Sequence, residues 1–239
     1  MALATRRIDY SDGKQVFEAH MAWDDSWSNP RPGVLVSHAW RGRSPFENGK
    51  AERLVDLGYV GMALDVYGKG VLGSNPAENA ALMQPLLDDR AMLQGRLSLA
   101  LSQLQSQPEV DAGKTAAIGF CFGGLCVLDL ARIGADIAGV VSFHGLFGPP
   151  GNTSGNSISA KVLVLHGWDD PMAKPDQAVA LAEEMSAMGA DWQLHGYGGT
   201  LHAFTNPEAN DPGSGLQYSS IADQRSWASM TAFLAEILA

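Results

Sequence analysis

Three side-chain types that can act together in nucleophilic catalysis occur in three separate motifs. Cys121 is the centre of Gly119-Phe120-Cys121-Phe122-Gly123-Gly124, Asp170 lies in His166-Gly167-Trp168-Asp169-Asp170-Pro171, and His202 lies in Gly198-Gly199-Thr200-Leu201-His202-Ala203-Phe204. An imidazole can take the proton of a thiol, and the imidazolium then stabilises the thiolate. A carboxylate behind the ring fixes its tautomer and orientation. Asp170 is chosen over Asp169 because the residue three past Gly167 in such a turn points back towards a crevice while its neighbour faces solvent. The competing reading makes both aspartates solvated turn formers.

The elements around Cys121 must present it sharply. Lys114 to Phe120 is an apolar run that reads as a buried strand, and Leu125 to Arg132 reads as a helix, with almost no linker between them. Glycines two before and two after Cys121 let the chain turn where side chains would collide. The N–H of Phe122 and the first helical turn then face whatever negative charge develops beside the thiol, which is half of an oxyanion hole. Against this stands the reading of Cys121 as a small buried hydrophobe with packing glycines. A dinucleotide loop does not fit, because the spacing is not Gly-x-Gly-x-x-Gly and Phe120 and Phe122 flank the position that a pyrophosphate would approach.

Strand patterns at Val16 to Trp23, Gly33 to His38, Tyr59 to Leu64, Ile137 to Phe143, Lys161 to His166 and Asp191 to Tyr197 alternate with helical patterns. The helices are expected at about 45–57, 76–107 with a break near Pro85, 175–188 and 221–238. Alternation of this kind predicts the α/β class, with a mostly parallel sheet, helices on both faces and ligands beyond the carboxyl ends of the strands. His38, His144 and His166 each end an apolar strand, whereas His202 sits in a glycine-rich loop with the freedom that a general base needs. The pocket candidates at strand ends and loops are His38, Ala39, Arg41, Tyr67, Phe120, His144 and Trp168, each weighed against ordinary core packing. Thr205 to Ser219 reads either as part of a lid or as an inert surface loop.

The chain has 239 residues and no composition shift or linker, so one domain over 1–239 is expected. With 16 Lys and Arg against 26 Asp and Glu, the net charge is −10. No basic face for nucleic acid or for an anionic membrane surface is expected from that balance. Neither a signal-type apolar region near the start nor an 18-residue apolar run is present, which predicts a cytoplasmic protein. The two cysteines, Cys121 and Cys126, lie five apart across the elbow and its helix, so a mutual disulfide is not expected and free thiols fit a reducing compartment.

These three motifs, together with Leu64-Asp65-Val66-Tyr67-Gly68, resemble the dienelactone hydrolase (carboxymethylenebutenolidase-like) family of α/β-hydrolases, from about residue 30 to the end. The resemblance implies the α/β-hydrolase fold, with Cys121 as nucleophile, Asp170 as acid and His202 as base. It puts the oxyanion amides on Phe122 and Trp40. It also implies a small ester or lactone as substrate, no metal or organic cofactor, and a monomer or homodimer. Two positions depart from the family pattern. Ala39 stands where the family commonly has a glutamate that helps switch the cysteine to thiolate, and Asn206 stands where a cation would grip a substrate carboxylate. Ala39 keeps open the alternative of a hydrolase-like fold that binds a small ligand or partner without turnover. A metal hydrolase is disfavoured, since no His-x-His or His-x-x-Glu-His spacing occurs.

Overall fold

The computed structural model describes residues 2–239. Most helix boundaries follow from local chemistry. Helix α1 (Pro45–Val55) opens with a capping box, in which the Ser44 hydroxyl accepts the Phe46 N–H and Glu47 reaches back to the Ser44 N–H. Asn75 caps α2 (Pro76–Asp88) and Asp89 caps α3 (Arg90–Gln105). The break in the long helical pattern therefore falls at Asp89, because its carboxylate accepts the Met92 N–H and restarts the helix. Pro85 stays inside α2.

The strands are β1 (Leu3–Ser11), β2 (Val16–Asp24), β3 (Arg31–Ser37), β4 (Val60–Ala63), β5 (Val110–Phe120), β6 (Gly139–Phe143), β7 (Lys161–Gly167) and β8 (Trp192–Tyr197). The remaining helices are α4 (Phe122–Arg132), α5 (Pro175–Ala187) and α6 (Ser220–Ile237). Strand β1 lies in a stretch that the sequence reading left without structure. Its side chains alternate between exposed and half-buried, so no apolar run marks it, and its antiparallel register with β2 defines it.

The chain forms two compact units, one running to Ile118 with Leu238, the other Gly119–Ile237 with Ala239. In the first, strand order is β1-β2-β4-β3-β5, with β3 and β4 parallel and β2 antiparallel to both β1 and β4. Helices cover both faces here. A Cβ on Gly61 would strike the backbone of Ala51 in α1, whereas one on Gly33 would meet Leu104 of α3. Gly33 pairs with Val60, the neighbour of Gly61, so the two glycines point to opposite faces.

In the second unit, β6, β7 and β8 are adjacent and parallel. A Cβ on Gly139 would meet Ile237 and Phe233 of α6, while Ser142, three residues along and on the other face, touches the backbone of Gly124 in α4. The α/β class expected from the alternation is the class observed. The carboxyl ends of β6 and β7, the loop after β8 and the junction of β5 with α4 carry the residues that follow.

Candidate active site

The turn between β5 and α4 has no spare space. A Cβ on Gly119 would sit on the Gly123 carbonyl, and one on Gly124 would come within 2.6 Å of the Gly145 Cα. Cys121, between them, takes φ 57° and ψ −116°, a conformation costing about 1–3 kcal/mol for a residue with a side chain. The N–H of Cys121 is shared by the Phe143 carbonyl and His144 Nδ1, each at 3.1 Å. That donor is already engaged. The N–H of Phe122, the first residue of α4, is the backbone donor that follows the thiol.

His202 and Asp170 form one buried unit. Nδ1–H of His202 donates to Asp170 Oδ2 at 2.6 Å, and the other carboxylate oxygen accepts the Met172 N–H at 2.8 Å. A carboxylate only accepts, so this contact places a proton on Nδ1. Asp170 is buried while Asp169, its neighbour, is exposed. Nε2 of His202 is buried and makes no regular hydrogen bond. Burial alone would push this imidazole down. The charge of Cys121 and the carboxylate of Asp170 outweigh it, and the ring is raised to about 10. The Cys121 sulfur therefore acts on the ring both by its charge and through a side-chain contact at Nε2 that falls short of regular hydrogen-bond geometry.

Thr205 to Ser219 is tied to His202 by its backbone. It contains the hairpin β9 (Asn210–Asp211) and β10 (Leu216–Gln217). The N–H of His202 donates to the Gly215 carbonyl at 2.9 Å, and the N–H of Gln217 donates to the His202 carbonyl at 3.1 Å. Gly215 packs directly on Pro171, the residue after Asp170, so one small hairpin fixes the backbones beside Asp170 and at His202. Gly167 has a matching role, since a Cβ there would come within 2.6 Å of the Thr200 carbonyl.

The pocket candidates divide by surroundings. In the first unit His38 is fully buried, its Nε2 accepting the Val66 N–H at 3.3 Å and its Nδ1–H donating to the Ala39 carbonyl at 2.8 Å. Its ring packs edge-on against Tyr67, whose hydroxyl donates to the Trp40 carbonyl. Arg41 is exposed and donates to the Gly73 carbonyl. The N–H of Ala39 donates to Glu47 Oε1 at 3.2 Å. Glu47 is buried and its Oε2 is taken by Ser44, so this carboxylate is spent on loop geometry.

In the second unit Phe120 is buried and stacked on Phe143 at 4.7 Å, which makes it packing beneath the elbow. Trp168 is 41 % exposed and His144 is buried. His166 is also buried, and neither of its ring nitrogens has a partner. Asn206, at the position where a cation was sought, accepts the Glu208 N–H. Neither Cys121 nor Cys126 is in a disulfide. Among the described residues no three His, Cys, Asp or Glu side chains come together as metal ligands would, and no helix is long and apolar enough to cross a membrane.

What sequence reasoning missed was the set of contacts that hold His144. The residue stands out as a histidine ending an apolar strand, but the partners of its ring come from distant segments.

Residues 17–238 match the dienelactone hydrolase family. A crystal structure of a dienelactone hydrolase-like promiscuous phosphotriesterase from metagenomic libraries is 38 % identical, with a TM-score of 0.93 and full coverage of both chains. An uncharacterized protein of Caenorhabditis elegans is 40 % identical over 155 residues, which is 64 % of this chain and 98 % of that protein. A probable 2-oxo-3-(5-oxofuran-2-ylidene)propanoate lactonase of Bradyrhizobium sp is 27 % identical over 206 residues, covering 82 % of this chain and 80 % of that one.

Proposed function

The chain belongs to the dienelactone hydrolase family, and from that premise we propose that it hydrolyses small carboxylic esters or lactones, with Cys121 as nucleophile, Asp170 as acid and His202 as base. One observation carries the reading. The imidazole of His202 is clamped by Asp170 on Nδ1 at 2.6 Å, which leaves its buried Nε2 to Cys121, whose charge and side-chain contact both raise the ring. A ring held in that way is set to take or give one proton at Nε2.

In the proposed cycle the Cys121 thiolate attacks the carbonyl carbon, and the C=O electron pair moves to oxygen. The resulting oxyanion accepts the Phe122 N–H at the start of α4. A second amide, that of Trp40, is assigned by the family resemblance alone. Collapse expels the alcohol oxygen, which takes the Nε2 proton of His202, and leaves a thioester on Cys121. His202 then removes a proton from water, the hydroxide adds to the thioester carbonyl, and collapse returns the thiolate and the free acid. For a lactone the alcohol and acid are two ends of one product.

The departure at Ala39 leaves thiol activation to His202. Both oxygens of the nearby Glu47 are engaged, to the N–H of Ala39 and to Ser44, which supports that reading.

Hydrolysis of p-nitrophenyl acetate and of a lactone panel by wild type and Cys121→Ala tests the proposal. The expected loss in Cys121→Ala is at least ~10³-fold with an unchanged thermal transition. Retained turnover in Cys121→Ala removes the nucleophile assignment, and no turnover of any ester or lactone by wild type favours a non-catalytic binding protein. A phosphotriester belongs in the panel, since the 38 % identical relative is described as a promiscuous phosphotriesterase.

A further inference from the structure

His144 ends β6 with its side chain enclosed, and each ring nitrogen meets a different part of the site. Nδ1 lies 3.1 Å from the backbone N of Cys121, and Nε2 lies 2.8 Å from the Thr205 hydroxyl. A backbone N–H can only donate, so Nδ1 accepts. Nε2 therefore carries the proton in the neutral ring and donates to Thr205. Thr205 is three residues past His202, and the His144 ring packs edge-on against that of His202 with centroids 5.1 Å apart. Phe204 closes another side at 5.0 Å.

Backbone strain falls on the same residues. Among the described residues only Cys121, His144 and Ala203 take a positive φ without being glycine, at 57°, 37° and 57°. Cys121 and Ala203 sit at the thiol and beside the base, and His144 is bonded to the first and, through Thr205, to the loop of the second. Strained conformations persist only where surrounding contacts over-determine them. The His144 ring supplies two of those contacts. Gly145, the next residue, packs on Gly124 and so keeps the strand end against the elbow helix.

We infer that His144 is a positioning residue for the reaction proposed above. In the Nε2–H tautomer it pins the strained backbone of the Cys121 elbow to the loop that carries His202, so that Sγ is held beside the buried Nε2 of His202. The inference rests on the Cys121–Asp170–His202 reading and adds to it a residue that touches neither substrate nor the transferred proton.

Two substitutions separate the two ends of the ring. His144→Asn keeps an acceptor one bond from Cγ, where Nδ1 stands, and asparagine is also one of the side-chain residues that best tolerate a positive φ. His144→Gln reaches the Nε2 position but leaves the Cys121 N–H without its imidazole acceptor. Each is assayed for kcat and KM with p-nitrophenyl acetate, for the rate of alkylation of Cys121 by iodoacetamide, and for thermal unfolding. His144→Gln is expected to lower kcat by ~10- to ~100-fold with KM within about threefold, and to slow alkylation, while His144→Asn recovers most of both.

Wild-type kinetics in folded His144→Gln overturn the inference. So does an equal loss in both variants, since the ring would then matter for its shape rather than its acceptor. If either variant does not fold, Thr205→Val removes the acceptor of Nε2 while keeping side-chain shape, and an unchanged kcat there overturns the link to the base loop. Cys121→Ala run beside them separates the two levels. Activity in Cys121→Ala sinks the triad itself, whereas inactive Cys121→Ala with fully active His144→Gln sinks only the role of His144.

Discussion

The two compact units differ in where backbone strain falls. In the unit running to Ile118, charges are settled in pairs near the surface: Arg6 forks onto Glu109, Arg43 onto Glu18, and Lys69 onto Asp9. Every described residue there with positive φ is a glycine. In the unit Gly119–Ile237 Asp170, His202 and His144 are buried, and three positions with side chains are held in strained backbone. Paired, solvated charges relax to their own optimum and do little beyond fixing loops. Strain and a buried imidazole cost stability, and they survive where the surrounding packing holds them for chemistry.

The largest effect that would break this contrast lies at Asp170, the proposed acid. Asp170→Asn should lower kcat for p-nitrophenyl acetate by ~10²- to ~10⁴-fold because the amide can present the wrong partner to Nδ1, and exposed Asp169→Asn should change it by less than about threefold. The reverse ranking would mean that the buried carboxylate is structural only.

The protonation of His202 sharpens the comparison next. Its imidazole is raised to about 10, with burial opposing and the Cys121 charge the largest contribution that raises it. NMR of the ring nitrogens should find it protonated at pH 8. In Cys121→Ala the raising effect of the sulfur is gone, the opposing effect of burial remains, and the ring should titrate lower. An unchanged titration would show that Cys121 does not govern the ring.

Strain gives a smaller, opposite-signed prediction. Glycine relieves the φ 57°, ψ −116° conformation that alanine keeps, at a cost in unfolded-chain entropy. Cys121→Gly should therefore be more stable than Cys121→Ala by about 1 kcal/mol, read by urea unfolding, with both inactive. Equal stability would argue that the elbow is not strained.

The smallest effect belongs to the first unit. The fork from Arg6 to Glu109 is a third exposed on the arginine side, and Arg6→Met should cost no more than about 1 kcal/mol and leave kcat unchanged. A drop in kcat would break the separation between scaffold and site.

How much of this could be read beforehand depends on the range of the interactions involved. The elbow was legible because its glycines answer a purely local clash, as Gly119 against Gly123 shows. The break after α2 was placed near Pro85 and fell at Asp89, since a capping carboxylate restarts a helix more sharply than proline ends one. Strand β1 was missed because its half-exposed alternation gains meaning only from pairing with β2. The stretch after His202 read as lid or loop, yet it brackets His202 through hydrogen bonds to the Gly215 carbonyl and from the Gln217 N–H that no periodicity encodes.

By itself the sequence determined the α/β class, the motifs that hold Cys121, Asp170 and His202, and their order along the chain, because turn residues and apolar runs act over a few positions. Only the tertiary structure decided that Asp170 meets His202 at 2.6 Å, that Nε2 is buried, and that His144 joins the elbow to the loop of His202. Those outcomes depend on burial and on contacts between segments 23 to 61 residues apart, which strand pairing and packing create.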